Sequence, residues 1–201
     1  MKKLFIVPAL ACAAALIAAA GCGERGGASE EEQFNSAKAK FDNYTVDVQI
    51  NYSEGGGYES TLMVDGANGM VTGNYIGEEE GESYYYKEED GEVFNYEASG
   101  WVLLRSADTI EEATSEVNGY VYMVENLFYD DFESVDGELV VTDKALEAYS
   151  EQYGMDISSC RVKLSGSTIA SATVVVNYYG ERMEVNYSFS DYGTTEVELP
   201  E

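Results

Sequence analysis

The chain has 201 residues, 38 of them acidic and 11 basic, and a formal net charge of −27 at pH 7. That balance excludes nucleic acid, whose phosphates need Lys and Arg, and it excludes electrostatic docking on anionic lipid headgroups. The complete absence of histidine removes Ser-His-Asp and Cys-His catalysis and histidine-ligated zinc, and three scattered cysteines do not make a thiolate metal cluster.

Lys2 and Lys3 form a short positive start, and Leu4 to Ala20 follows without a charge and rich in Ala, Leu and Ile. Gly21-Cys22 closes the run with a small residue and a thiol. A charged start, an apolar middle and a small-residue end make a secretory signal. Ala19-Ala20-Gly21-Cys22 resembles the lipobox of bacterial lipoproteins, although Ala19 stands where that pattern usually has Leu. The resemblance implies a diacylglyceryl group on the Cys22 sulfur, cleavage before it, and a place on the extracytoplasmic face of the cell membrane. The competing readings are a plain cleaved signal and a retained anchor, for which the apolar run is short against the roughly 20 residues a bilayer core needs. Lipid would then do the anchoring, while the acidic surface keeps the domain off the membrane. Cleavage leaves about 180 residues, enough for one domain with a sizeable core. Cys12 leaves with the peptide and Cys22 is acylated, so Cys160 is left as a buried small apolar residue and no intramolecular disulfide is expected.

Gly23 to Ala28 reads as a flexible tether. Ser29-Glu30-Glu31-Glu32 has the spacing of a capping box, and Phe34, Ala37 and Phe41 form one apolar stripe, which predicts a helix over 30–41. From Tyr44 the period changes to two. Tyr44, Val46, Val48, Ile50 and Tyr52 point one way and Thr45, Asp47, Gln49 and Asn51 the other, as in a half-buried antiparallel strand. Further strands are expected over 58–65, 70–76, 83–87, 93–96 and 101–105, joined by Gly-rich and Asp-Gly turns into a meander.

Asp108 and Glu111 then suggest a second cap, followed by helical spacing of Ile110, Ala113, Val117, Tyr120 or Val121, Val124 and Leu127 or Phe128, with Gly119 inside. A hairpin is expected at 132–141 around Asp136-Gly137, and a helix over 144–153 capped by Thr142 or Asp143 and ended by Gly154. Four strands close the chain, over 159–164, 168–178, 181–189 and 195–199. Grouped strands with inserted helices make the class α+β.

The order of these elements resembles the LolA–LolB and LppX–LprG group of lipoproteins and carriers. The landmarks are the helix Ser29–Phe41, Gly100-Trp101 at the end of the meander, Asp136-Gly137-Glu138-Leu139, and Phe189-Ser190-Asp191-Tyr192-Gly193. Leu139 departs from the aromatic expected after Asp136-Gly137. The resemblance implies a strongly curved antiparallel sheet, an incomplete barrel, with helices on its concave side. It also implies a cavity for a lipid or other amphiphile between sheet and helices. The alternating residues expected to line that cavity are Val46, Val48, Ile50, Leu62, Val64, Trp101, Leu103, Val174 and Val176. The same residues would simply pack on the helices if no cavity forms.

A different class of reading rests on the seventeen tyrosines. Tyr84–Tyr86 and Tyr178–Tyr179 would form an acidic, aromatic surface that binds a protein or a cell-wall component. The acidic runs Glu78–Glu80, Glu88–Asp90 and Asp130-Asp131 fall at turns or helix ends and read as solvated loops, so no catalytic pair is expected. No Asp-Gly loop has the first ligand of an EF-hand, and neither a metal nor a cofactor is implied. Replacing the acylated residue, Cys22→Ser, should abolish incorporation of labelled palmitate and move the full-length protein from the detergent phase to the aqueous phase on cloud-point separation.

Overall fold

The computed structural model describes residues 28–76, 81–110, 112–114, 124, 126–178 and 180–201. The signal segment, Cys22, the tether up to Gly27, Glu78–Glu80, Glu111, Val117, Gly119, Tyr120, Val121 and Tyr179 lie outside them. Helix α1 spans Glu30–Lys38. The Ser29 hydroxyl accepts from the Glu32 N–H (3.1 Å) and the Glu32 carboxylate accepts from the Ser29 N–H (2.8 Å), so the expected capping box forms. The helix stops three residues short of the expected end because its last turn tightens, with the N–H groups of Lys40 and Phe41 donating three residues back.

Eleven strands follow. They are β1 (Asn43–Tyr52), β2 (Gly57–Asp65), β3 (Asn68–Tyr75), β4 (Glu82–Glu89), β5 (Glu92–Glu97), β6 (Gly100–Leu103), β7 (Phe132–Val135), β8 (Glu138–Val141), β9 (Asp156–Leu164), β10 (Ile169–Tyr178) and β11 (Glu181–Ser190). They form one curved antiparallel sheet in the order β6-β5-β4-β3-β2-β1-β11-β10-β9-β8-β7. The sheet is not closed, since β6 and β7 end it and do not pair. The Asp-Gly turns behave as read. Asp90 and Asp136 have φ of 56° and 53°, and Gly91 and Gly137 have φ of 78° and 84°. Two successive positive φ values match the right-handed strand twist of a tight hairpin.

Between β6 and β7 lie helical residues at 110, 112–114 and 124 and a 3₁₀ turn, Tyr129–Asp131. Glu111 of the expected Asp108–Glu111 cap lies outside the described residues, and the cap that is described involves Thr109 and Glu112. The Thr109 hydroxyl accepts from the Glu112 N–H (3.2 Å), and the Glu112 carboxylate accepts from the Asp108 N–H (2.8 Å). Helix α2, Asp143–Tyr153, is capped by the Thr142 hydroxyl and ends at Gly154, φ 65°. It lies against β9, while α1 lies against β10 and the 3₁₀ turn. Phe34, Ala37, Ile110, Ala113, Leu146 and Tyr149 share one buried cluster with Val46, Val64, Val71, Val162, Val174, Val176 and Val185 of the sheet. All described helical elements therefore cover one face of the sheet. The other face is called the open face below.

The two ends of the domain are locked together beside β1. Phe41 meets Tyr44, Phe189 and Tyr192 edge-on or tilted, with ring centroids 5.1, 5.5 and 6.3 Å apart. Such pairs contribute about 0.5–1.5 kcal/mol each beyond their burial. Residues 195–199, expected as a twelfth strand, do not join the ladder. The segment is extended but runs across the strands on the open face. Asn43 Nδ2 donates to the Thr195 carbonyl (3.0 Å) and Asn43 Oδ1 accepts from the Thr195 N–H (2.9 Å). Val197 N–H then reaches Asp65 Oδ2 on β2 (3.0 Å), and the Tyr96 hydroxyl on β5 donates to the Glu201 carbonyl (3.2 Å). Crossing from β1 to β5 takes four interstrand steps, about 19 Å, and six extended residues span about 20 Å. The alternation seen in sequence survives because Thr195 is buried and Val197 and Leu199 half-buried against the sheet, while Glu196 and Glu198 face water.

Asn43→Ala removes both bonds to Thr195 and leaves the Thr195 carbonyl without its amide donor at a half-buried place, while the Thr195 N–H keeps only its bond to the Asp191 carbonyl (3.1 Å). Urea unfolding should show a loss of about 1–3 kcal/mol, with Ser190→Ala, on an exposed side chain, costing under about 0.5 kcal/mol.

Candidate functional site

Strand register decides which expected lining residues meet. Val46 pairs with Leu62 and Phe189, Val48 with Tyr187, Ile50 with Val185, and Val174 with Val185. Directly opposed residues share a face, so Val46, Val48, Ile50, Leu62, Val64, Val174 and Val176 all point to the helices. They are packed there. Val46, Val64, Val174 and Val176 are 0% exposed and Val48 and Leu62 2%, so no water-sized space touches the first four. Ile50 is half-buried at the margin of the cluster.

Trp101 and Leu103 are corrected to the opposite face. The register runs Lys87–Phe94–Leu103 and Tyr96–Trp101, whereas Tyr86–Asn95–Val102 is the row that continues Val64–Gly69. Trp101 instead meets the Tyr96 ring edge-on at 5.2 Å, with the Lys87 ammonium 5.1 Å above its own ring. Its hydrophobicity signalled burial, but only the hairpin registers show which side it takes.

The tyrosine run divides in the same way. Tyr86 is buried, Tyr84 is exposed on the helix-bearing face and Tyr85 lies on the open face. Tyr178 is exposed. No single aromatic surface is made of Tyr84–Tyr86. An unexpected group gathers instead at the end of the helix-bearing face, where Tyr58 and Tyr75 pack with centroids 5.5 Å apart. Burial, then the neighbouring Tyr75, raises the Tyr58 phenol above its ordinary value, and a bond to Glu82 raises that of Tyr84. Gly73 makes room for this packing, because a Cβ there would sit 2.0 Å from the Tyr58 hydroxyl.

The formed groove lies on the open face. It has a volume of about 480 Å³ and spans β11, β1, β2 and β3. Its side chains are the polar half of the strand alternation: Asp47, Gln49, Glu59, Thr61, Thr72, Asn74, Asn186 and Ser188. The rows that build it are Ser188–Asp47–Thr61–Thr72 and Asn186–Gln49–Glu59–Asn74. Gly81, after β3, closes one side, its Cβ position lying 3.0 Å from the Gly73 carbonyl. The C-terminal strap passes one row further along the strands, where Thr45 meets the Thr195 hydroxyl at 3.0 Å.

Cross-strand hydrogen bonds hold the groove floor. Thr61 Oγ1 donates to Asp47 Oδ1 (2.6 Å), Gln49 Nε2 donates to Glu59 Oε1 (3.1 Å), and Thr173 Oγ1 donates to Asn186 Oδ1 (3.0 Å). Among the described residues, no Lys or Arg lines the groove. Sequence reasoning assigned Asp47 and Gln49 to the outward face of their strand but did not single out these eight residues. Their meeting depends on the β1–β11 pairing, which joins residues more than 130 positions apart.

Among the described residues there is no cluster of His, Cys, Asp and Glu that could hold a metal, and no helix long and apolar enough to cross a membrane. Cys160 is buried beside Val174, and burial alone pushes its thiol from the ordinary 9.0 up to about 12.

No family model matches this sequence, and no curated protein does. A solved structure that resembles it is LprF from Mycobacterium bovis, 11% identical, covering 88% of this chain and 99% of that one with a TM-score of 0.35. The likeness is distant.

Cys160 generates a stability test. The unfolded thiol ionises above its ordinary 9.0 while the folded one stays protonated to about 12, so this contribution to stability is whole below pH 9 and is lost as pH rises. Between pH 9 and 10 the wild type should lose about 1 kcal/mol that Cys160→Ala does not lose, read from urea unfolding at each pH.

Proposed function

We propose that this chain is a lipid-anchored extracytoplasmic binding protein without catalytic chemistry, which takes its ligand on the open face of the sheet. The observation that carries this reading is the position of the groove. It is formed from ordered strand side chains on the face without helices, while the aliphatic residues under the helices are covered. A site on paired strands holds its groups more rigidly than one on loops. The groove's amides, hydroxyls and carboxylates suit a polar partner, such as a protein segment or a cell-wall component. Anchoring through Cys22, with residues 23–28 as a tether, would hold the domain beside that partner.

An amphiphile between sheet and helices would have the apolar walls it needs, but Val46, Val64, Val174 and Val176 would first have to be uncovered. That requirement separates the two readings. Full-length protein extracted from membranes and released from detergent in the mass spectrometer should carry only its covalent acyl mass. A non-covalent lipid that stays bound to the wild type and is lost in Val174→Trp would overturn the open-face assignment. On the present reading, Thr72→Trp, which fills the groove without touching the buried face, should abolish capture of soluble cell-envelope fragments, while Val102→Trp at the sheet edge should not.

A further inference from the structure

We infer that the groove selects an ammonium- or guanidinium-bearing ligand, a basic peptide segment whose lysine or arginine side chain lies between Asp47 and Glu59. This rests on the open-face reading above and adds the chemistry of the ligand. Register sets the geometry. Asp47 opposes Thr61 and Glu59 opposes Gln49, so the two acids are diagonal neighbours on adjoining strands. Diagonal partners lie roughly 7–8 Å apart at the backbone, within reach of one cation placed between their carboxylates.

Each carboxylate is held through one oxygen. Thr61 fixes Oδ1 of Asp47, and Gln49 fixes Oε1 of Glu59. The donors that hold them are neutral, so neither charge is compensated within the groove. Oδ2 of Asp47 and Oε2 of Glu59 take no part in those two bonds, and both residues line the groove. A carboxylate held this way accepts charge-assisted bonds from N–H donors without reorganising.

The surroundings favour the same sign. A phosphate or carboxylate ligand would find no Lys or Arg among the described residues of the groove and a net charge of −27 on the chain. A cationic segment is steered toward such a surface and away from competing anions. The groove is long as well as charged. The Thr72 and Ser188 hydroxyls on its flanks offer hydrogen bonds to a peptide backbone beside the cation. A neutral sugar would use those hydroxyls but would leave both carboxylates uncompensated, and no aromatic side chain is among the described residues that line the groove.

The test uses the mature lipidated chain in neutral detergent micelles and isothermal titration with the capped peptide Gly-Lys-Gly-Lys-Gly. The same peptide with both lysines acetylated and a neutral N-acetylglucosamine disaccharide serve as comparisons. The lysine peptide should bind and the two neutral probes should not. Asp47→Asn with Glu59→Gln keeps the shape of both side chains and should weaken binding about tenfold. Glu147→Gln with Glu151→Gln removes the same charge from the exposed face of α2 and should change affinity less than twofold. Far-UV circular dichroism melts establish that both double variants fold.

Equal binding of the acetylated peptide or of the disaccharide would overturn the inference. So would failure of the lysine peptide to bind, or equal losses in the two double variants, which would mark a diffuse surface field. If Thr72→Trp abolishes capture of envelope fragments while Asp47→Asn with Glu59→Gln retains it, the open-face site stands and the cationic class alone is wrong. If Thr72→Trp leaves capture intact, the site itself is wrong.

Discussion

The pairing of β1 with β11 is the constraint on which the rest of the domain depends. Every other ladder in the sheet joins strands that follow one another in sequence, and most close through short turns. Such hairpins bring little loop-closure cost. β1 and β11 lie more than 130 residues apart and exchange eight successive register pairs, from Thr45–Ser190 to Tyr52–Met183. Without that ladder the molecule would be two meanders, β1 to β6 and β7 to β11, each with an incomplete hydrophobic face. With it, Val46, Val48 and Ile50 join Val185, Tyr187 and Phe189 as the middle of one continuous core.

The locks at the end of this ladder follow from it. Phe41 and Tyr44 pack on Phe189 and Tyr192, and the Asn43 carbonyl accepts from the Gly193 N–H at 2.9 Å. Asn43 then captures Thr195 with its side-chain amide, which turns the tail out of the sheet plane and across β2 to β5. The tail covers part of the open face, while the neighbouring rows stay uncovered and form the groove. One strand pairing thus seals the helix-bearing face and also sets the edge of the polar site behind it.

The two faces differ in what they can do. On the covered side, Val46, Val64, Val174 and Val176 are fully buried and contribute to stability through their packing. On the open side, Asp47, Gln49 and Glu59 are held by cross-strand hydrogen bonds. The chain is strongly acidic and has no histidine, and the groove sets two of its carboxylates, Asp47 and Glu59, as diagonal neighbours on adjoining strands.

Much of this was legible in the chain itself, because local chemistry decides local structure. The capping box at Ser29 and Glu32, the Asp-Gly turns at 90–91 and 136–137, the stop at Gly154 and the two-residue period of β1 each act within a few residues, and each appears where the sequence puts it. The lipobox-like Ala19-Ala20-Gly21-Cys22 is equally local. Alternation also separated apolar from polar sides within each strand, but it carries no sign that relates one strand to the next. That sign comes from register, which placed Trp101 and Leu103 opposite Val64, divided Tyr84 from Tyr85, and gathered Asp47, Glu59 and Asn186 from distant segments. The tail makes the same point. Thr195, Val197 and Leu199 have the period of a strand, and the backbone is extended, yet Asn43 and Asp65 draw it across the sheet. Periodicity reports that one side of a segment is buried, and only tertiary structure decides what buries it.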